Sequence, residues 1–185
     1  MNGVLRAGWA LAAILALGTV SEAQNPFEAT AEHKLRAGDV GDWDAELKTW
    51  QAGPDAEPTV EKGTETVKVM GDLWTISDFK GQFSGMDFSG HGFTGYDPLK
   101  KKFVGTWVDT MSLAPMILEG TYDAAKKTLM MTSEGVNPAT KEAYKLRETL
   151  TWKDKDHRTF VLYMTMGDVK SEPVKMMEIS YTRKK

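Results

Sequence analysis

The chain has 185 residues, 23 of them basic and 26 acidic, for a formal net charge of -3, and it contains no cysteine. That excludes a disulfide framework, a thiolate metal or iron–sulfur site and a thiol nucleophile, and the near balance of charge offers no basic footprint for nucleic acid. With 41% hydrophobic and 26% charged residues, the length fits one packed domain with its own core.

Residues 1–23 read as an export signal. Arg6 supplies the early positive charge, residues 7–17 an apolar run too short to span a bilayer comfortably, and Ser21 and Ala23 the small residues of a cleavage site before Gln24. Because no cysteine follows the apolar run, lipid anchoring is excluded. The expected mature protein is exported, periplasmic or secreted, and has no stable membrane insertion after cleavage behind Ala23.

Residues 24–42 form an N-terminal segment. Within it, residues 26–37 are rich in helix formers and end at Gly38 and Gly41, which predicts a short helix or lid. From Trp43 onward the pattern changes to period two, and residues 43–185 read as one β domain. About ten runs rich in Val, Ile, Thr, Phe, Tyr and Trp follow, at 43–50, 60–70, 73–83, 87–96, 102–111, 116–123, 128–134, 143–153, 158–165 and 174–183. The links between them, such as residues 97–100, 124–126, 137–140 and 155–156, are too short for the crossovers that parallel strands require. The prediction is an all-β fold, an antiparallel up-and-down barrel of about ten strands with a short N-terminal helix, since closure removes exposed sheet edges.

Gly41-Asp42-Trp43 opens the first strand and Arg183 ends the last. This G-x-W start with a basic finish resembles the calycin superfamily, in which such an arginine packs over such a tryptophan where the first and last strands meet. Trp43 and Arg183 are therefore the expected structural closure, a cation–π contact capping one end of a calycin-like barrel. The stretch Gly90-His91-Gly92-Phe93-Thr94-Gly95-Tyr96-Asp97, then residues 101–111 with Trp107-Val108-Asp109, and the ending Met177-Glu178-Ile179-Ser180-Tyr181-Thr182-Arg183 are similar to the bacterial family called domain of unknown function 1579. That resemblance implies export in many members and a calycin-like barrel, and no established activity.

Gly90-x-Gly92-x-x-Gly95 matches the dinucleotide fingerprint as a string, but Tyr96-Asp97-Pro98 leads into another strand where the fingerprint needs a helix N-terminus. The glycines are better read as places where the strand bends or another group approaches closely. His33, His91 and His157 lie far apart with no metal-ligand spacing, so no metal is expected, and no cofactor is implied. His33 and His157 read as solvated, in the lid helix and in a turn. His91 is the one histidine to follow, as a pocket residue able to move a proton near neutral pH.

Alternation sharpens the acidic residues. Phe103, Trp107, Asp109 and Met111 share one strand face, as do Tyr144, Leu146, Glu148, Leu150 and Trp152, opposite Lys145 and Arg147. A carboxylate on a core-facing position is costly unless it is paired or has a task. The candidate ligand-binding set is therefore His91, Trp107, Asp109, Tyr144, Glu148 and Trp152. Internal pairing of the carboxylates with Arg147, Arg183 or buried water is the alternative. Eleven methionines, concentrated in the later strands, suit an adaptable cavity lining as well as core filling.

Three functions are compatible with these residues. The first is an exported barrel that binds a small, largely apolar ligand inside. The second is an enzyme using Asp109, Glu148 and His91 in the same cavity as acid and base. The third is an envelope protein with a solid barrel that binds partners through its surface. Fold alone does not separate them.

Overall fold

The structure, a computed structural model, describes residues 28–50, 53, 55–137, 139–167 and 172–185. The export-signal reading falls on residues 1–23, outside the described residues. Among the described residues no helix is long and apolar enough to cross a membrane.

One helix, α1 (Ala31–Ala37), precedes ten strands: β1 (Gly41–Thr49), β2 (Thr59–Met70), β3 (Trp74–Phe83), β4 (Met86–Asp97), β5 (Lys102–Asp109), β6 (Met116–Asp123), β7 (Thr128–Val136), β8 (Ala143–Trp152), β9 (His157–Met166) and β10 (Val174–Arg183). Each strand pairs antiparallel with its sequence neighbour, and β1 pairs with β10, closing the barrel. The fold is thus the all-β, up-and-down barrel with a short N-terminal helix that the period-two runs predict.

The helix is shorter than residues 26–37. Thr30 is its N-cap in extended conformation (φ -78°, ψ 175°), and residues 28–30 lie outside the helix. The Thr30 N–H donates to His33 Nδ1 at 3.1 Å, and the His33 ring meets Tyr96 edge-on at 5.8 Å. His33 is therefore a buried capping and packing residue, a correction to its reading as solvated. His157 is exposed and pairs with Asp154 at 2.9 Å.

The helix lies against β3 and β4. It covers the barrel end at which β1 begins and β10 finishes, and it turns Leu35 and Arg36 inward. At the opposite end, β3 and β4 are joined by Ser84-Gly85 alone, both at positive φ (57° and 72°), the two-residue turn whose twist matches the flanking strands.

Two apolar clusters fill the interior. Trp43, Ala45, Leu47, Val67, Phe79, Ile179 and Tyr181 form one beneath β1, β2, β3 and β10, and Phe103, Leu118, Leu129 and Met131 form the other beneath β5, β6 and β7. Trp107 packs against both and bridges them. These faces follow from alternation, since every second residue of each strand points inward.

Candidate functional site

The interior is not solid, which speaks against the third reading, a solid partner-binding barrel. A cavity of about 340 Å³ runs from Arg36, Glu65, Arg158 and Tyr181 at the helix-covered end to Phe83, Phe88, Asp109, Met111 and Ser112 at the other. Its wall between is apolar, with Leu47, Phe79, Trp107, Leu118, Met131 and Phe160. Met111 is 48% exposed, which places this second end at the surface. A separate hollow of about 410 Å³ lies at the ends of β7, β8 and β9, lined by Glu134, Tyr144 and Lys145 among others. It gathers mixed rim residues and no convergent apolar wall, so the interior cavity is the better candidate.

The helix-covered end holds an ionic network. Arg158 donates to Asp39 at 2.8 Å and to Glu65, Arg36 pairs with Asp39, and the Ser77 hydroxyl donates to Glu65. Trp152 Nε1 donates to Asp39 Oδ1 at 2.5 Å, and Trp43 Nε1 donates to the Asp39 carbonyl at 2.9 Å. The Arg158 guanidinium also lies over the rings of Trp43 and Tyr181, 4.2 and 4.7 Å from their centroids. Burial alone lowers the affinity of Arg158 for its proton, but the Glu65 and Asp39 carboxylates outweigh it and hold the group above its ordinary value. Burial, then the Glu65 carboxylate, pushes the Tyr181 hydroxyl well above the usual range.

Arg183 closes the same end from outside. It stands opposite Trp43 in the β1–β10 register, its guanidinium lies 4.1 Å from the Trp43 centroid, and its Nη2 donates to the Gly38 carbonyl at 2.9 Å.

Glu148 faces into the cavity between Met131 of β7 and Leu162 of β9. It lies deep in the barrel yet keeps some accessible surface, because one side meets open cavity space. Burial pushes its carboxyl up to about 7, and the positive charge of Arg36 only partly opposes the shift. No hydrogen bond from a described residue offsets that cost.

Trp107 and Asp109 also line the cavity, but Asp109 is occupied. It accepts from Trp107 Nε1 at 2.9 Å, from the Met111 N–H at 2.8 Å and from the Ser112 hydroxyl at 2.9 Å, tying the indole to the turn after β5. The indole lies flat over Gly90 and Gly92, where an added Cβ would stand 2.1 Å and 2.9 Å from ring atoms. Close approach of Trp107 is thus what these two glycines permit, and the fingerprint string has no helix behind it.

The remaining sequence candidates lie elsewhere. His91 is on the outer face beside Phe93, with Nδ1 2.6 Å from Asp78 Oδ1. Tyr144 borders the rim hollow and lies over Gly135. Trp152 belongs to the Asp39 network at the helix end. Arg147 stacks over Tyr163, 4.7 Å from the ring centroid. Its role as internal counter-ion passes to Arg158 and Arg36. Alternation carried back from Phe160 and Leu162 puts Arg158 inward, and the same count from Val67 puts Glu65 inward. Those were the available signals for the network. Among the described residues no group of three His, Asp or Glu side chains could hold a metal ion.

A family described as protein of unknown function (DUF1579) matches residues 28–183. No curated protein matches the chain. Among solved structures, the crystal structure of Rv2717c from M. tuberculosis is similar, with a TM-score of 0.63 at 14% identity over 85% of this chain and all of that one. At that identity the likeness concerns the fold alone. A redesigned β-barrel aligns at a TM-score of 0.42 and 12% identity, over 85% of this chain and 100% of that chain.

Proposed function

The chain belongs to the DUF1579 family, and from the geometry of its barrel we propose that it binds a small, largely apolar molecule in the interior cavity. The supporting observation is a cavity of about 340 Å³ with a largely apolar wall and a few polar groups, an ionic network at the helix-covered end, Glu148 within and Asp109 toward the open end. That size and arrangement suit a small-molecule site, in which apolar area supplies affinity and placed polar groups fix orientation. Met131 and Met177 in the wall can adapt to ligand shape.

Native mass spectrometry of the mature protein from its own host, compared with the denatured protein, tests this. The expected result is a bound small molecule lost on denaturation and absent from a cavity-filling Met131→Trp variant. An unliganded mass, together with no change in tryptophan fluorescence on titration with apolar probes, overturns the proposal.

A second reading, acid–base catalysis in the same cavity, is favoured by one observation. Glu148 carries a carboxyl near 7 in a partly desolvated site, the range in which a group can both give and take a proton. Turnover inflecting near pH 7 and lost in Glu148→Gln would support it, while no turnover across hydrolase and isomerase panels counts against it.

We propose further that the barrel acts outside the cytoplasm. Arg6, the apolar run and the Ser21/Ala23 cleavage pattern support export. N-terminal sequencing should find Gln24 first, and an intact Met1 would reject it.

A further inference from the structure

We propose that the cavity's ligand is an apolar molecule ending in a protonated amine, whose ammonium group pairs with Glu148. The inference rests on the reading that the cavity binds an apolar ligand, and it specifies the ligand's head.

The charges of the interior do not balance. Arg36 and Arg158 are its cations, and both are committed: Arg36 to Asp39, Arg158 to Asp39 and Glu65. Arg36 Nε and Arg158 Nε lack partners, but both atoms are fully buried, so an anionic head cannot reach these two nitrogens. Two carboxylates therefore balance two guanidinium groups, and Glu148 is the surplus. It faces the cavity without a hydrogen bond from any described residue, and Asp109 adds negative charge toward the open end. A carboxyl inside an apolar cavity is stabilised by a donor that the protein itself does not supply. An ammonium group supplies charge and donors together, and a carboxylate head would meet like charge.

The pairing carries a pH signature. Glu148 is held at about 7 by burial, with Arg36 opposing, so an ammonium ligand must displace a proton below that pH. The ionisable groups lining the same cavity as Glu148 are Arg36 of α1, Glu65 of β2, Asp109 of β5, Arg158 of β9 and Tyr181 of β10, with Asp39 paired to both arginines. Of these, Arg36 is the charge that acts on Glu148. Arg158 and Tyr181 are both held above their ordinary values and keep their protons throughout the range tested. Asp39 and Glu65 are locked in ion pairs with the arginines.

Calorimetric titration of the full mature chain with octylamine, octanol and octanoate at pH 5.5 and pH 8 decides the matter. Octylamine is expected to bind tightest at pH 8 and to weaken about thirtyfold at pH 5.5, while octanol stays level. Glu148→Gln should remove the pH dependence and bring octylamine to the level of octanol. If that variant does not fold by circular dichroism, the wild-type series of three heads decides alone. Tightest binding of octanoate, or octylamine affinity indifferent to pH, overturns the amine head while leaving the cavity reading intact. No binding by any of the three overturns both.

Discussion

Arg158 places its guanidinium 4.2 Å from the centroid of the Trp43 ring, and the same indole is contacted by Arg183 at 4.1 Å, so the first tryptophan of the barrel is flanked by two cations from β9 and β10. Arg183 is partly exposed and donates to carbonyls outside the barrel, whereas Arg158 is 2% exposed and neutralises Glu65 and Asp39. The inner contact is therefore the costlier one to lose. Arg158→Met should destabilise the barrel by about 3–5 kcal/mol, because it leaves buried carboxylates without a counter-ion. Urea unfolding measures this, and a loss below about 1 kcal/mol would show that the network is solvated.

The stability of the protein should fall as pH rises through Glu148's titration. Its carboxyl sits at about 7 in the folded barrel against an ordinary value of 4.5. Between those values the native state holds the extra proton, so Glu148's contribution to stability is fully present below 4.5, is lost as pH rises through about 7 and levels off above it. Glu148→Gln should stabilise at pH 8 by up to about 3 kcal/mol and by nearly nothing at pH 4.5. Chemical denaturation at the two pH values checks the sign, and an equal effect at both would remove the carboxyl from the explanation.

Gly90→Ala should displace Trp107. The new methyl would stand 2.1 Å from the indole edge, a distance no side chain tolerates. A cost of about 1–3 kcal/mol is expected from overpacking, with a shift in tryptophan emission. Trp107→Leu in the same chain should recover part of the loss, and a purely additive double mutant would place the strain elsewhere.

Asp109→Ala should loosen the turn between β5 and β6. Three donors lose their shared acceptor, and the Trp107 N–H is left facing the cavity. Hydrogen exchange at Met111 and Ser112 should accelerate, with a global loss of about 1–3 kcal/mol. Unchanged exchange at both amides would mean that the turn is held by other contacts.

The period-two runs locate all ten strands to within about two residues because alternation and turn chemistry act over short stretches of chain. The same alternation places Trp107, Asp109 and Glu148 on the inner side. It could not reveal that Asp109 is consumed by its own turn while Glu148 has no hydrogen bond from a described residue. That difference depends on Met111, Ser112 and the neighbouring strands. The sequence reading also counted His91 among the pocket residues, and the sheet turned it outward to Asp78.

The sequence by itself determined the strand limits, the antiparallel links and the up-and-down strand order, since each depends on alternation and on turn residues a few positions apart. Only the tertiary structure decided which inward residues meet. Arg158 reaches Glu65 across 93 positions and Trp152 reaches Asp39 across 113, contacts set by the register in which β1 and β10 close the barrel. It also left an interior cavity of about 340 Å³ among side chains contributed by α1 and all ten strands. Volume is a sum over strands distant in sequence, and no local pattern encodes it.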